Sequence, residues 1–255
     1  MLIKHEIPLF EFDDAQSAVL EPNHEHFDMK LPRKCVVAFL YDETEVYAKR
    51  NTCKHVGDFV SQTKTFPVYT TMYEGEEIAF IQAPVGSSAA GQVVDWLIGY
   101  GVEMVLAIGS CGTLVEFKEN EFLIPIKALR DEGTSYHYAK PSRYMELDQS
   151  MVEGIKDGLL GLNLPIKYVH TWTTDAFFRE TKEKVQYRKE EGLEVVEMEC
   201  SALAAVCKFR NVAFGEILYT ADSLAKVNEY SERSFGESAR MKAMNIAMHV
   251  IHTIK

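Results

Sequence analysis

The amino-acid sequence predicts an α/β fold: a single domain with a central mixed, largely parallel sheet flanked by helices. Strand-like apolar runs recur along the chain, and segments with helical periodicity separate several of them. No internal repeat, low-complexity tract or linker interrupts this alternation. The 255 residues suffice for one large core. We therefore predict one domain over residues 35–255, preceded by an N-terminal arm over residues 1–34.

The elements can be justified in chain order, beginning with the arm. Residues 1–34 are polar and punctuated by proline, which favours an extended segment that wraps the core or a neighbouring chain. Residues 73–77 are predicted to form a hairpin turn between two strands. Apolar runs predict strands at 35–41, 77–85, 104–110, 121–126, 166–172, 193–198 and 213–221.

Four helices are predicted from residue periodicity and composition. Residues 89–99 and 149–160 each place their apolar side chains on one face. Residues 201–210 are rich in alanine and nearly all apolar, as expected of a helix packed tightly on a sheet, and residues 234–254 form the C-terminal helix.

Composition and charge exclude several classes of protein. The formal net charge of −11 argues against a nucleic-acid-binding protein, which needs a basic face. The five cysteines are scattered without metal-ligand spacing, so we expect free thiols, no metal site and no cofactor. No apolar run approaches the ~18 residues of a membrane span, and acidic residues follow too early for a signal peptide. We expect a cytoplasmic protein without a membrane partner.

The segment Leu193–Val206 carries the strongest functional signal. Its apolar run holds two acids, Glu197 and Glu199, around Met198 and just before the alanine-rich helix. Acids at a strand end are costly unless polar groups bind them. Sugar hydroxyls can donate hydrogen bonds to such carboxylates while a methionine packs on the ring. The alternative is an ion-paired acid with a purely structural role.

Two further segments accompany this motif. Val105–Thr113 joins a strand to a Gly-Ser-Cys-Gly turn, and Phe214–Leu224 places Asp222 just past an apolar strand. In this order, the three segments resemble those of the nucleoside phosphorylase and nucleosidase family, which cleaves the bond between a base and its ribose. The resemblance covers about residues 78–255 and implies the fold predicted above.

The resemblance also implies roles for individual residues. Glu199 is expected to accept hydrogen bonds from the ribose hydroxyls, with Met198 beneath the ring and Glu197 as a second polar contact. Asp222 is expected to donate a proton or hydrogen bond to N7 of a leaving purine, which needs a raised pKa; a helix N-cap is its structural alternative. Phe177 is expected to stack on the base, with an ordinary core position as its alternative.

The residues that would hold the acceptor depart from the family pattern. Both arginines that grip phosphate in the family's phosphorylases are missing, since Ala38–Glu45 replaces the first motif and Ala107 the second. Phosphate can still be bound by backbone N–H groups or by Arg50 of another subunit. The expected phosphate-binding residues are Gly86, Ser87, Gly109 and Ser110.

An acid near the acceptor supports a hydrolytic alternative. Glu45 falls where the nucleosidases of the family carry the glutamate that activates water, although its short acidic neighbourhood is also typical of a solvated surface turn. A carboxylate there repels phosphate and assists water.

Base preference is mixed in the sequence. Asp222 favours a purine, since the uridine-cleaving branch lacks this acid, whereas Leu129–Arg143 resembles the uridine branch. The Gln and Arg which that branch uses after its Phe-containing loop are not matched at residues 175–184. A purine is favoured.

The sequence therefore predicts a nucleoside phosphorylase that uses nucleoside and phosphate and acts preferentially on purine nucleosides. The alternatives are a hydrolytic nucleosidase that uses Glu45, a uridine phosphorylase-like enzyme and a non-catalytic nucleoside-binding protein. Members of the family form dimers or hexamers, so we expect a homo-oligomer. His5 and Arg50 are the candidates for reaching into a partner's site.

Overall fold

The computed structural model describes residues 2–255, which form one ten-stranded sheet and seven α-helices. The strands are β1 (Lys34–Ala38), β2 (Lys54–Val60), β3 (Thr65–Tyr73), β4 (Glu76–Gln82), β5 (Met104–Thr113), β6 (Phe122–Asp131), β7 (Tyr144–Glu146), β8 (Tyr168–Thr174), β9 (Val195–Glu197) and β10 (Ala213–Ser223). The helices are α1 (Glu43–Arg50), α2 (Ser87–Gly99), α3 (Ser135–Tyr138), α4 (Gln149–Gly161), α5 (Lys182–Glu190), α6 (Cys200–Phe209) and α7 (Glu237–Thr253).

The sheet combines a parallel centre with antiparallel pairings. Strand β1 pairs in parallel with β4 and β5, and β5 pairs in parallel with β10. Strands β6, β8 and β9 are parallel neighbours, whereas β2, β3 and β4 are antiparallel. Because β10 also pairs with β6 and β9 with β5, five strands close into a ring. The predicted α/β class with a mixed sheet is confirmed.

The four predicted helices are present with bounds shifted by no more than three residues. In α6, the apolar sequence is matched by burial of every residue from Cys200 to Cys207. Helix α4 begins after Asp148, whose carboxylate accepts hydrogen bonds from the backbone N–H groups of Ser150 and Met151 at 2.8 and 3.4 Å. Periodicity was sufficient here because each helix packs one apolar face on the sheet.

One segment folds differently from the surface turn that its sequence favours. Helix α1 contains the acidic run at Glu43–Glu45, with Lys49 and Arg50 in its last turn. This order of charges complements the helix dipole. Burial of Thr44 and Ala48 fixes the inner face, and two buried residues in eight are too few to reveal a helical period in the sequence.

The arm contains no strand or α-helix within residues 2–33 and has one 3-10 turn, Pro8–Phe10. It lies along α2, where Glu25 accepts hydrogen bonds from the indole of Trp96 at 2.9 Å and the hydroxyl of Tyr100 at 3.2 Å. The described helices include none that is both long and apolar enough to cross a membrane.

Candidate active site

A cavity of about 510 Å3 opens at the carboxyl ends of the central strands. This is the position at which open α/β sheets bind ligands, because several loops converge there. The lining comes from segments that follow or end β1, β4, β5, β9 and β10, together with residues after β8 and before α7. Segments distant in sequence therefore share one site.

Glu199 lies at this cavity where β9 gives way to α6. Its carboxylate is buried and accepts a hydrogen bond from the backbone N–H of Gly86. Burial and the negative charge of Glu197 raise the pKa of Glu199 to about 8. Met198 lines the cavity beside it. The predicted ribose-binding pair thus lies in one pocket.

Glu197 lines the same cavity, but its two oxygens are already engaged. One accepts the hydroxyl hydrogens of Thr171 and Thr173 at 3.1 and 2.6 Å. The other accepts the backbone N–H groups of Glu199 and Cys200, both at 2.6 Å. Burial raises the pKa of Glu197, and these four donors oppose that effect by favouring the carboxylate. Because it accepts a hydrogen bond from the backbone N–H of Glu199, Glu197 is suited to orienting that residue.

Gly86 and Ser87 hold the ribose motif in this structure. The N–H of Gly86 points at Glu199, and the buried hydroxyl of Ser87 donates to the backbone carbonyl of Met198 at 2.6 Å. Gly86 has a φ of 103°, which other residues rarely adopt, so the turn is built around glycine. These two predicted phosphate-binding residues already have partners here.

The segment Gly109–Gly112, which the sequence predicted as a turn after a strand, belongs to β5 instead. It lines the cavity, and Ser110 is exposed in a strand whose other residues are all buried. A side chain at Gly109 would lie 3.2 Å from the Cβ atom of Phe39. The absence of a side chain there lets β5 approach the segment that follows β1. The exposed side chain of Ser110 is accessible from the cavity that it lines.

A third buried acid, Glu216, was not anticipated from the sequence. It lies in β10, is 1% exposed, and lines the same cavity. One of its carboxylate oxygens, Oε2, has no hydrogen-bond partner among the described residues. Burial and the charges of Glu197 and Glu199 raise the pKa of Glu216 well above its usual range. In the parallel pairing of β10 with β5, Glu216 lies opposite Ala107. Ala107 occupies the position at which phosphorylases of the family carry an arginine.

Asp222 lines the opposite part of the cavity, in the last residues of β10. No helix begins at Asp222, so the N-cap alternative is wrong. Burial raises its pKa, and Tyr230 and Arg233 oppose the shift. Glu180, which the sequence did not single out, lines the cavity too; burial and the charge of Asp222 raise its pKa to about 7.

Phe177 is half-exposed and borders this end of the cavity together with Glu180 and Asp222. It also lines an adjoining cavity of about 310 Å3. The core alternative for Phe177 is therefore wrong, since a core phenylalanine would be buried. An aromatic ring beside two protonatable carboxyls is a suitable environment for a nucleobase.

Glu45 does not line the cavity. It lies on α1, where its half-exposed carboxylate pairs with Lys49 at 3.4 Å. The helix explains this position, because an i,i+4 pair turns the acid along the helix surface. The structure therefore does not bring Glu45 to the water-activating position that the sequence suggested. Neither His5 nor Arg50 lines the cavity of its own chain.

The charged residues that line the cavity within residues 2–255 are all acidic. Of the residues in 2–255 that line it, none is Lys or Arg, whereas five are acids. They are Glu180, Glu197, Glu199, Glu216 and Asp222. Such a site accepts groups that donate hydrogen bonds, including sugar hydroxyls and ring N–H groups.

The fold is an α/β domain with an acidic cavity at the carboxyl ends of its parallel strands. The chain belongs to the phosphorylase superfamily, whose family model matches residues 34–255. This superfamily comprises nucleoside phosphorylases and nucleosidases.

Individual relatives agree with this membership. A guanosine phosphorylase of Halorubrum lacusprofundi is 22% identical over 68% of the chain and 72% of the relative. For the next two curated relatives, the chain covers only 57% and 64% of their length.

Two solved structures show the same fold. The uridine phosphorylase of Vibrio fischeri has a TM-score of 0.75 and 18% identity over 92% of this chain and 94% of its own. The AMP nucleosidase of Bacteroides thetaiotaomicron has a TM-score of 0.69 and 20% identity over 88% and 89%.

Proposed function

We propose that the chain is a nucleoside phosphorylase that acts preferentially on purine nucleosides and yields the free base and ribose 1-phosphate. The observation that carries the proposal is the convergence, in one cavity, of Met198 and Glu199, the Gly109–Gly112 segment of β5 and Asp222. These groups supply a contact for the sugar, a place for the acceptor and a proton for the base.

Glu199 is the group suited to the ribose. In the ligand-free site its pKa of about 8 leaves much of it protonated at neutral pH. Two ribose hydroxyls that donate to its oxygens favour the ionised form, as does the positive charge that develops on the sugar. Glu199 then stabilises the transition state more than the ground state, because the sugar charge is greatest there.

Asp222 is the group suited to the leaving base. Its raised pKa allows it to carry a proton to N7 of a purine. As the bond from C1′ to N9 breaks, its electron pair goes to the base and the proton of Asp222 neutralises the charge. A phosphate oxygen forms the new bond to C1′. A pyrimidine has no N7, so this proton favours purines.

The five acids do not all carry charge at neutral pH. The raised pKa values of Glu180, Glu199 and Glu216 lower the negative charge that a phosphate would meet. The exposed hydroxyl of Ser110 can donate to phosphate. Relatives that are named phosphorylases add support for this acceptor.

Hydrolysis is the second candidate function, favoured by one observation. No cation lines the cavity within the described chain, and Ala107 stands where family phosphorylases carry an arginine. Because Glu45 lies outside the cavity, water would have to be activated by another carboxyl. We therefore expect Glu45→Gln to leave base release unchanged with either acceptor.

A nucleoside panel with and without phosphate tests both candidates. Phosphorolysis predicts base release that depends on phosphate and yields ribose 1-phosphate; free ribose would identify hydrolysis. Retained nucleoside binding without turnover would identify a non-catalytic binding protein.

Asp222→Asn should lower the rate on inosine and adenosine far more than on uridine, by ~10²–10⁴ if it removes the proton donor. Equal losses on all three would exclude that role.

A further inference from the structure

A cation lies just outside the cavity lining, on α7. The guanidinium of Arg240 lies 5.0 Å from the ring centre of Tyr41, and Tyr41 lines the cavity together with Ser110. Arg240 forms no ion pair with a carboxylate of residues 2–255, and none of its side-chain nitrogens has a hydrogen-bond acceptor there. Its charge is held in place by an aromatic face alone.

Strand register and helix packing together link the start of α7 to the Gly109–Gly112 segment of β5. Tyr219 of β10 is paired with Ser110 of β5. One turn before Arg240, Gly236 packs so closely on the Tyr219 ring that an added Cβ would lie 2.8 Å from it. Burial raises the pKa of the Tyr219 phenol to about 12, and the positive charge of Arg240 and the hydroxyl of Ser110 oppose that rise. Tyr219 therefore lies between the strand that carries Ser110 and the start of the helix that carries Arg240.

Tyr41 is held in an unusual backbone conformation. Its φ of 52° lies in the left-handed region, which costs a non-glycine residue about 1 kcal/mol or more. Tyr41 is nevertheless 71% exposed, so burial of this residue does not offset that cost. The conformation presents the ring to Arg240 on one side and to the cavity on the other.

We propose that Arg240 is the cation of the acceptor subsite and binds phosphate together with Ser110, with Tyr41 orienting its guanidinium. The proposal deepens the proposed function and rests on it for the identity of the acceptor. An arginine on α7 thereby compensates for the arginines absent from Ala38–Glu45 and from Ala107. Its planar donor fork suits a phosphate oxyanion.

Arg233 is a competing cation, since its charge acts on Asp222, but two of its donors are already engaged. It donates to the backbone carbonyls of Phe117 at 2.9 Å and Ala221 at 3.5 Å. Lys182, near the base end, donates to Asn228 at 2.9 Å. Arg240 differs from both because none of its side-chain donors has an acceptor among residues 2–255.

The test compares two variants of one helix. Arg240→Gln and Lys242→Gln each remove one positive charge from α7, but Lys242 is exposed and, unlike Arg240, does not lie over the ring of Tyr41. We expect Arg240→Gln to raise the KM for phosphate by at least about tenfold while the KM for nucleoside stays within about twofold. Lys242→Gln should match the unmodified chain, and Arg240→Lys should recover part of the loss. Thermal unfolding checks that all variants fold.

Calorimetric titration with inorganic phosphate separates this proposal from the proposed function. Phosphate binding that Arg240→Gln weakens and Lys242→Gln does not would support the subsite even if the enzyme released free ribose. A phosphate affinity equal in both variants, or no phosphate binding by the unmodified protein, would overturn it. An equal rise in both KM values would also overturn it, since that pattern indicates a structural role.

Discussion

At the residue scale, Glu197 and Glu199 show how neighbouring acids differ in role. Glu197 gives both oxygens to four donors from its own chain, whereas Glu199 receives one backbone N–H and keeps acceptor capacity facing the cavity. Because side chains alternate between the two faces of a strand, Glu197 and Glu199, which are two residues apart, lie on the same side. We expect loss of Glu197 to affect stability and loss of Glu199 to affect catalysis.

Glu199→Gln should keep the fold and lower catalytic efficiency at least tenfold, because charge-assisted hydrogen bonds to ribose are worth roughly 1.5–3 kcal/mol each. The amide oxygen can still accept the N–H of Gly86. Efficiency on the best nucleoside is the measurement. Unchanged efficiency in the folded variant would remove the sugar-binding role.

Glu197→Ala should instead lower the free energy of unfolding by at least about 2 kcal/mol, since it leaves buried hydroxyl and N–H groups without an acceptor. Urea denaturation of this variant beside Glu199→Gln measures the contrast. Equal stability of the two variants would contradict the role assigned to Glu197.

The raised pKa of Glu180 predicts that the free energy of unfolding depends on pH. Its pKa is about 7 in the folded chain against an ordinary value of 4.5. Below pH 4.5 both states keep the proton; between pH 4.5 and 7 the unfolded chain releases it first, so the free energy of unfolding falls. Glu180→Gln cannot ionise. The variant should therefore gain stability relative to the unmodified chain across this window, with a constant difference above pH 7.

Urea denaturation at pH 4, 5.5, 7 and 8 measures this difference between the two proteins. Asp222 is left intact in both, so its own titration remains in the comparison. A difference that is the same at all four pH values would show that Glu180 titrates normally in the folded chain.

At the scale of elements, the junction of β10 and α4 depends on the absence of a side chain. A Cβ at Gly215 would lie 2.6 Å from Cδ1 of Ile155 and 3.1 Å from Cβ of Met151. The helix would have to move from the sheet, so Gly215→Ala should cost roughly 1–3 kcal/mol. Gly161→Ala, whose nearest neighbour would be 3.5 Å away, is the matched control.

Chemical denaturation of the two glycine variants gives the comparison. Gly161→Ala should be neutral or slightly stabilising, because alanine favours the helical conformation. If Gly215→Ala proved as stable as this control, the close contact between β10 and α4 would not restrict the side chain.

Element by element, the sequence was informative where local pattern and packing agree. Helix α6 was predictable since every face of it is buried and apolar. Helix α1 was not, because it depends on packing of two buried residues rather than on a periodic stripe.

The same distinction applies to the site. Met198 and Glu199 follow β9 and Asp222 lies near the end of β10, so their place at the cavity could be predicted. Glu216 looks like a solvent-facing residue within a strand, and Glu180 meets Asp222 only through tertiary folding; sequence periodicity contains neither fact.

At the scale of the whole molecule, the sheet explains why so many acids share one cavity. The strands β1, β4, β5 and β10 run in parallel, so their carboxyl ends meet at one edge. Each loop then contributes polar groups to the same volume. Burial of the acids, together with the repulsion between them, raises their pKa values, which couples recognition of the ligand to proton binding.

The arm leads to a prediction about assembly. It exposes Val19 completely and Leu20 to 67%, along with other apolar side chains near the N-terminus. Apolar groups clustered on one segment favour contact with a second copy.

We expect a mass by light scattering of two or six times 29.0 kDa, as the family resemblance implies. The double substitution Val19→Ser, Leu20→Ser should weaken assembly, whereas Leu160→Ser, at an exposed apolar site on α4, should not. A monomeric unmodified chain, or an equal mass for both variants, would show that the arm does not mediate assembly.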